Sequence, residues 1–135
     1  MSKTIDWNLA THIFEQFSNV IAAWVFGSAQ DGKVRLGSDV DIAVIFDSYP
    51  SLDNLSELRA ELQKVLRFDD IDLVVLNGAS PITRFEAISG RPIFCRDVVA
   101  RAEIASLTAR EYEDEIAFMQ SGLKSYTSGD LPADL

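Results

Sequence analysis

Gly27 and Ser28 are followed, after ten residues, by Asp39-Val40-Asp41. The two aspartates are two positions apart, and on a strand that spacing sets both carboxylates on one face. Like charges that close raise each other's pKa unless a cation lies between them. A divalent ion relieves the repulsion. Hard oxygen ligands suit Mg²⁺, which combines one or two carboxylates with substrate phosphates. Gly27 permits a tight turn and close approach of backbone to a ligand. Ser28 adds a hydroxyl, and the N–H groups after it can open a short helix facing a phosphate. A lone Asp-x-Asp usually marks a solvated strand start. The Gly-Ser at a fixed distance before it is what points to a site.

The flanking segments predict the elements that hold these residues. Val20 to Phe26 and Ile42 to Phe46 are continuous apolar runs of strand length, as in strands buried on both faces. Between them, Ala29 to Ser38 carries Gly32 and several polar residues, so Gln30 to Arg35 is expected as a helical turn and then a loop. Asn8 to Ser18 predicts a first helix, with Leu9, Ile13 and Phe17 on one stripe and Phe14 beside it. Leu52 to Phe68 is the clearest amphipathic helix. Leu52, Leu55, Leu58, Leu62, Val65 and Leu66 line one face, and Pro50-Ser51 supply a start signal. Asp70 to Leu76 reads as a short strand whose even positions put Asp70 and Asp72 on one face. Parity alone leaves open which of the two joins Asp39 and Asp41. Asn77-Gly78 marks a turn. Pro81 to Ser89 predicts a short helix, and Arg91 to Cys95 a last strand. Arg84, on that short helix, suits an ordinary surface ion pair better than a phosphate contact. From Asp97 to Ser125 a long helix is expected. Val98, Ala102, Ala105, Ala109, Tyr112, Ile116, Met119 and Leu123 recur at spacings of four and three, the seam of a helix packed along another helix. The tail from Thr127 to Leu135 is short and polar and is expected to fray.

Composition bounds the function. The chain has 135 residues and a net charge of -9, which predicts one domain with a single core. Strong acidity opposes non-specific binding to a phosphate backbone. It suits a basic protein partner or a cationic small molecule. Cys95 is the single cysteine, which excludes an internal disulfide, and its place in an apolar run is that of a small buried hydrophobe. His12 is the single histidine, so no triad or zinc site is built on it; an exposed helix position is expected. The N-terminus MSKTIDWNLA has no apolar core of signal-peptide length, and no run reaches the length of a membrane span. The protein is expected in the cytoplasm, without membrane or direct nucleic-acid contacts.

The GS-x10-DxD stretch resembles that of DNA polymerase beta-like nucleotidyltransferases in their smallest form, and most closely the MntA family of minimal nucleotidyltransferase antitoxins. The resemblance continues through Asp70-Ile71-Asp72-Leu73-Val74-Val75-Leu76-Asn77, Pro81-Ile82-Thr83-Arg84-Phe85-Glu86 and Gly90-Arg91-Pro92-Ile93-Phe94. It covers roughly residues 18 to 97, with the C-terminal helix, about 97–125, similar only in character. It implies an α/β (α+β) fold: a small mixed β-sheet with flanking helices, the whole of 1–135 forming one nucleotidyltransferase domain. The family pattern places the third carboxylate in the Asp-Leu-Val run, hence Asp72. Asp39, Asp41 and Asp72 are then the catalytic and metal-binding set, holding two Mg²⁺ ions, with ATP as co-substrate. Gly27 and Ser28 would hold the β- and γ-phosphates. Many relatives carry basic residues soon after the Gly-Ser, in forms such as GSRARG; here those places hold Ala29 and Asp31. Lys33 and Arg35 are candidates to replace them, and solvated loop charges are the equal alternative. The activity implied is transfer of AMP from ATP to a tyrosine of a HEPN-type ribonuclease toxin encoded beside this gene, in a heteromeric complex. Two alternatives remain: a nucleotidyltransferase acting on a small molecule such as an aminoglycoside, and an antitoxin that neutralises by binding alone.

Overall fold

The computed structural model describes the backbone of residues 2–35 and 37–127; the side chains of Ser2, Ser28 and residues 123–127 are outside the description. The expected tail beyond 127 and the seam position Leu123 therefore lie outside the described residues and side chains. The elements are β1 (Ser2–Thr4), α1 (Asn8–Gln16), β2 (Val20–Phe26), β3 (Lys33–Arg35), β4 (Val40–Phe46), α2 (Leu52–Leu66), β5 (Ile71–Val75), α3 (Pro81–Ile88), β6 (Arg91–Cys95) and α4 (Val98–Thr127).

Four strands form a mixed sheet in the order β5-β4-β2-β6. β2 runs antiparallel to both β4 and β6, whereas β4 and β5 are parallel. A parallel pair needs a crossover, and α2 supplies it. β2 and β4 are the central strands, which is why their sequences are continuously apolar: both faces are covered. On one face, Ala10, Ile13 and Phe14 of α1 and Leu58, Leu62 and Leu66 of α2 pack on Val25, Ile42, Val44 and Ile71. On the other, Ala87 of α3 and Ile104 of α4 meet Trp24, Ala43, Ile45 and Leu76. The sheet is thus the middle of three layers.

Local signals set most helix ends. The Ser51 side chain accepts from the Asn54 N–H at 3.0 Å, and the Ser80 side chain accepts from the Thr83 N–H at 3.2 Å, with Pro81 in the first turn. These are ordinary N-caps. α1 is closed differently. The Arg96 guanidinium donates to the carbonyls of Phe14, Glu15 and Phe17 at 2.8, 3.2 and 3.3 Å, and to that of Val20 at 2.9 Å. A cation on the last carbonyls of a helix is favoured by the helix dipole.

Three expectations are corrected. Lys33 to Arg35, expected within a loop, is a strand paired antiparallel with β1, and the Ile5 N–H donates to the Gly32 carbonyl at 2.7 Å. Both strands are three residues long, too short for periodicity to show. Leu9 and Leu52 do not face the core; they are 46% and 81% exposed, and in α1 Ala10 and Phe14 are buried instead. Finally, the packed face of α4 follows the expected seam only in part. Of the seam, Ala105, Ala109, Tyr112 and Ile116 are partly buried, and Tyr112 stacks on Phe85 of α3 with ring centroids 4.1 Å apart. Val98, Ala102 and Met119 are exposed. Ile104 and the fully buried Thr108, beside the seam, also face the domain.

Candidate active site

β2 ends at Phe26, and the chain turns sharply through a short 3₁₀ turn, Gly27–Ala29. Gly27 has φ of +81°, a region that L side chains rarely adopt. A Cβ at this position would stand 3.5 Å from Asp41 Oδ2. The turn therefore brings bare backbone next to a carboxylate. This follows from the register, in which Phe26 pairs with Asp41 on β4.

On its other side β4 pairs in parallel with β5, and there Asp41 stands opposite Asp72. Residues in register across a pair share a face, so both carboxylates lie on the side of the sheet that carries α3 and α4. Asp39 lies one residue before β4 and is exposed, as is Asp72; Asp41 is half-buried. Burial pushes the Asp41 carboxyl above its ordinary value, and the charges of Asp72, Asp39 and Glu86 push it further the same way. Asp70 is placed differently: it precedes β5, and its carbonyl accepts from the Val40 N–H at 2.8 Å.

Glu86, on α3, is a residue of this neighbourhood that sequence reasoning did not single out. Its stretch has no spacing relation to the aspartates, and only the packing of α3 on β2 brings it near. Gly90 permits that packing, since a Cβ there would lie 2.4 Å from the Val25 carbonyl oxygen.

The donor set suits a divalent cation. Among the described residues none of Asp39, Asp41, Asp72 and Glu86 takes part in an ion pair. Four like-charged oxygen groups without a counter-charge are the arrangement that Mg²⁺ relieves. Among the described residues, no three acidic, histidine or cysteine side chains are gathered tightly enough to enclose an ion by themselves. Mg²⁺ does not require this, because water and substrate phosphates complete its shell.

Lys33 and Arg35 are both exposed on β3, with buried Val34 between them. With Val34 and Ser38 they line a cavity of about 420 Å³ just before Asp39. The Ser28 hydroxyl lies outside the described side chains. Arg84 is not part of the site: it pairs with Glu111 of α4 at 3.1 Å and donates to the Ala79 carbonyl at 3.1 Å. Arg91 donates to the Gln30 carbonyl at 3.1 Å and so ties β6 to the turn after Gly27. A larger groove, about 530 Å³ between the end of α1 and α2, is lined by residues such as Asn19, Asn54, Glu57 and Glu61. It includes none of the clustered carboxylates.

Solved structures share this arrangement of chain. A chain of a mutant MntA–HpeT toxin–antitoxin structure superimposes with a TM-score of 0.76 at 21% identity, over 91% of this chain and 99% of that one. A toxin–antitoxin structure with AMP-PNP gives 0.74 at 22% identity, over 91% and 99%. The structure of a tri-AMPylated Shewanella oneidensis HEPN toxin in complex with MNT antitoxin gives 0.65 at 20% identity, over 90% and 99%. Likeness at this level of identity speaks for the fold. No curated protein matches the sequence. The family model for polymerase beta nucleotidyltransferases matches residues 8–98, a span that contains the Gly27 turn and all three aspartates. The chain belongs to the polymerase beta nucleotidyltransferase family.

Proposed function

We propose that this chain transfers AMP from ATP to a tyrosine hydroxyl of a HEPN-type toxin, silencing it as an antitoxin. The observation that carries the transfer reaction is the register that sets Asp41 beside Asp72 and beneath the Gly27 turn. Mg²⁺, held by Asp39 and Asp41 with Asp72 completing the set, would offset charge on the α-phosphate and on the departing pyrophosphate. Lys33 and Arg35 hold the β- and γ-phosphates from β3, in place of the basic residues absent after Gly27-Ser28. Backbone N–H groups of the Gly27–Ala29 turn assist them. Asp72 accepts the proton of the attacking hydroxyl. The rate gain comes from positioning and charge compensation rather than from a covalent intermediate.

The partner is supported by two further features. Toxin–antitoxin structures are among the solved structures that share the fold, one of them with a HEPN toxin described as tri-AMPylated. On this chain, α4 leaves the large apolar side chains of Val98, Val99, Leu107, Phe118 and Met119 exposed, which are available for contact with another protein. The net charge of -9 favours encounter with a basic, RNA-cutting partner. Among the described residues no helix is long and apolar enough to cross a membrane.

The test is transfer of label from α-phosphate-labelled ATP to the toxin encoded beside this gene, with Mg²⁺ present. Label on the toxin supports the reading. Neutralisation without label establishes blocking by binding alone. Label on a free aminoglycoside but not on the toxin establishes the small-molecule enzyme.

A further inference from the structure

We infer that Arg91 is a positioning residue for the triphosphate of ATP, holding from β6 the link that runs from the Gly27 turn to Lys33 and Arg35. The inference rests on the transfer reaction proposed above, which gives the phosphates to that turn and to those two cations. Arg91 is the first residue of β6 and stands opposite Val25 of β2. Gly90 before it has no Cβ, which lets the chain enter β6 against the Val25 carbonyl. β2 is the strand that runs into the Gly27 turn, and Gln30 is the residue by which the chain leaves it. Arg91 Nη1 donates to the Gln30 carbonyl at 3.1 Å. One side chain therefore joins the exit of the turn to the strand pair that forms its entrance.

The rest of the link is tied to itself and to the N-terminal segment. The Lys33 N–H donates to the Asp31 carboxylate at 3.0 Å, and the Gly32 N–H donates to the Ala29 carbonyl at 3.0 Å. The Gly32 carbonyl accepts from the Ile5 N–H at 2.7 Å. Asp31, at one of the places after Gly27-Ser28 that hold no basic residue here, is thus occupied in shaping the approach to β3. None of these bonds reaches the four-stranded sheet, which carries Asp41 and Asp72. The bond from Arg91 does.

Arg91 suits this task. Its side chain is exposed and, among the described residues, has no ion-pair partner. Arg84 and Arg96 are engaged elsewhere, with Glu111 and with the end of α1. A guanidinium on a carbonyl makes a charge-assisted hydrogen bond, stronger than a neutral one. A link held in place before ATP arrives has less freedom to lose on binding, and affinity rises accordingly. Lys33 and Arg35, at the end of that link, then meet the phosphates from a fixed position relative to the carboxylates.

The experiment reads the link and the nucleotide separately. Hydrogen exchange of the whole chain without ligand should be faster at residues 28–32 in Arg91→Met, with residues 20–25 as protected as in the unaltered protein. Titration calorimetry with ATP and Mg²⁺, no acceptor present, should show binding weakened about 10-fold in Arg91→Met, the size of one lost hydrogen bond to a charged group. Arg91→Lys, which keeps a cationic donor, should recover most of the lost affinity. In the transfer assay Arg91→Met should raise KM for ATP by the same factor and leave kcat and the acceptor KM unchanged, because the phosphates are held alike in ground and transition states. Arg91→Ala decides the matter if Arg91→Met fails to fold by circular dichroism. Unchanged exchange at residues 28–32, unchanged ATP affinity, or a loss that Arg91→Lys does not recover would overturn the inference. A chain whose ATP affinity depends on Arg91 in this way yet transfers no AMP would instead overturn the proposed reaction and leave the inference standing. Transfer with a KM for ATP that Arg91→Met does not change would do the reverse.

Discussion

Asp41→Asn is expected to lower AMP transfer by about 10³-fold, corresponding to about 4 kcal/mol of lost charge stabilisation in the transition state. The same substitution is expected to make the metal-free protein more stable at neutral pH. The Asp41 carboxyl is raised above its ordinary value of 3.8 by burial, then by Asp72, Asp39 and Glu86. The folded state therefore holds this proton at a higher pH than the unfolded state. Stability is lost as pH rises from 3.8 through the raised value, and the loss persists above it. Asparagine carries no such charge, so the variant escapes the cost. Melts at pH 7 should show a higher Tm for Asp41→Asn, with the gap closing as pH falls toward 3.8. Added Mg²⁺ should raise the Tm of the unaltered protein, because it binds the folded state, and should do little for the variant. A large drop in Tm for Asp41→Asn would show the aspartate to be structural.

Asp72→Asn is expected to reduce kcat by about 10²- to 10⁴-fold, the span typical of a lost general base. Asp70→Asn is expected to stay within about 2-fold of the unaltered protein, as is usual for a polar surface position away from the site. The contrast arises from register. Asp72 stands opposite Asp41 across the parallel pair, whereas Asp70 precedes the strand and contributes its backbone carbonyl to Val40. Equal losses in the Asp70 and Asp72 variants would contradict the assignment.

The central strands were legible because burial on both faces leaves an unbroken apolar run, and Val20–Phe26 is such a run from end to end. α2 was legible because its leucines recur at helical spacing and Ser51 caps it. The mixed sheet with flanking helices also agrees with expectation. The β1–β3 ribbon was not legible, since a three-residue strand has no period and its pairing depends on a contact between Ile5 and Gly32. The burial of α4 was legible in part: Tyr112 and Ile116 of the seam are partly buried, but alanines do not say how far a covered side extends, and Val98 and Met119 are exposed. Within the site, parity placed Asp39 and Asp41 on one face, but left Asp70 and Asp72 open. The strand register that sets Asp72 beside Asp41 is a tertiary fact, as is the approach of Glu86. Lys33 and Arg35 were legible as charges in the link that precedes Asp39. Their common face on β3 follows from pairing with the N-terminal strand, which the local sequence does not announce.

The claim at the centre of this account is chemical transfer to a partner protein. The measurement that bears on it most directly is the intact mass of the adjacent gene's product after incubation with this chain, ATP and Mg²⁺, followed by fragmentation to locate any addition. The account predicts AMP-sized increments on a tyrosine of that partner, absent when ATP is omitted and absent with Asp39→Ala. An unmodified partner, fully neutralised and tightly bound in the presence of ATP and Mg²⁺, would contradict it.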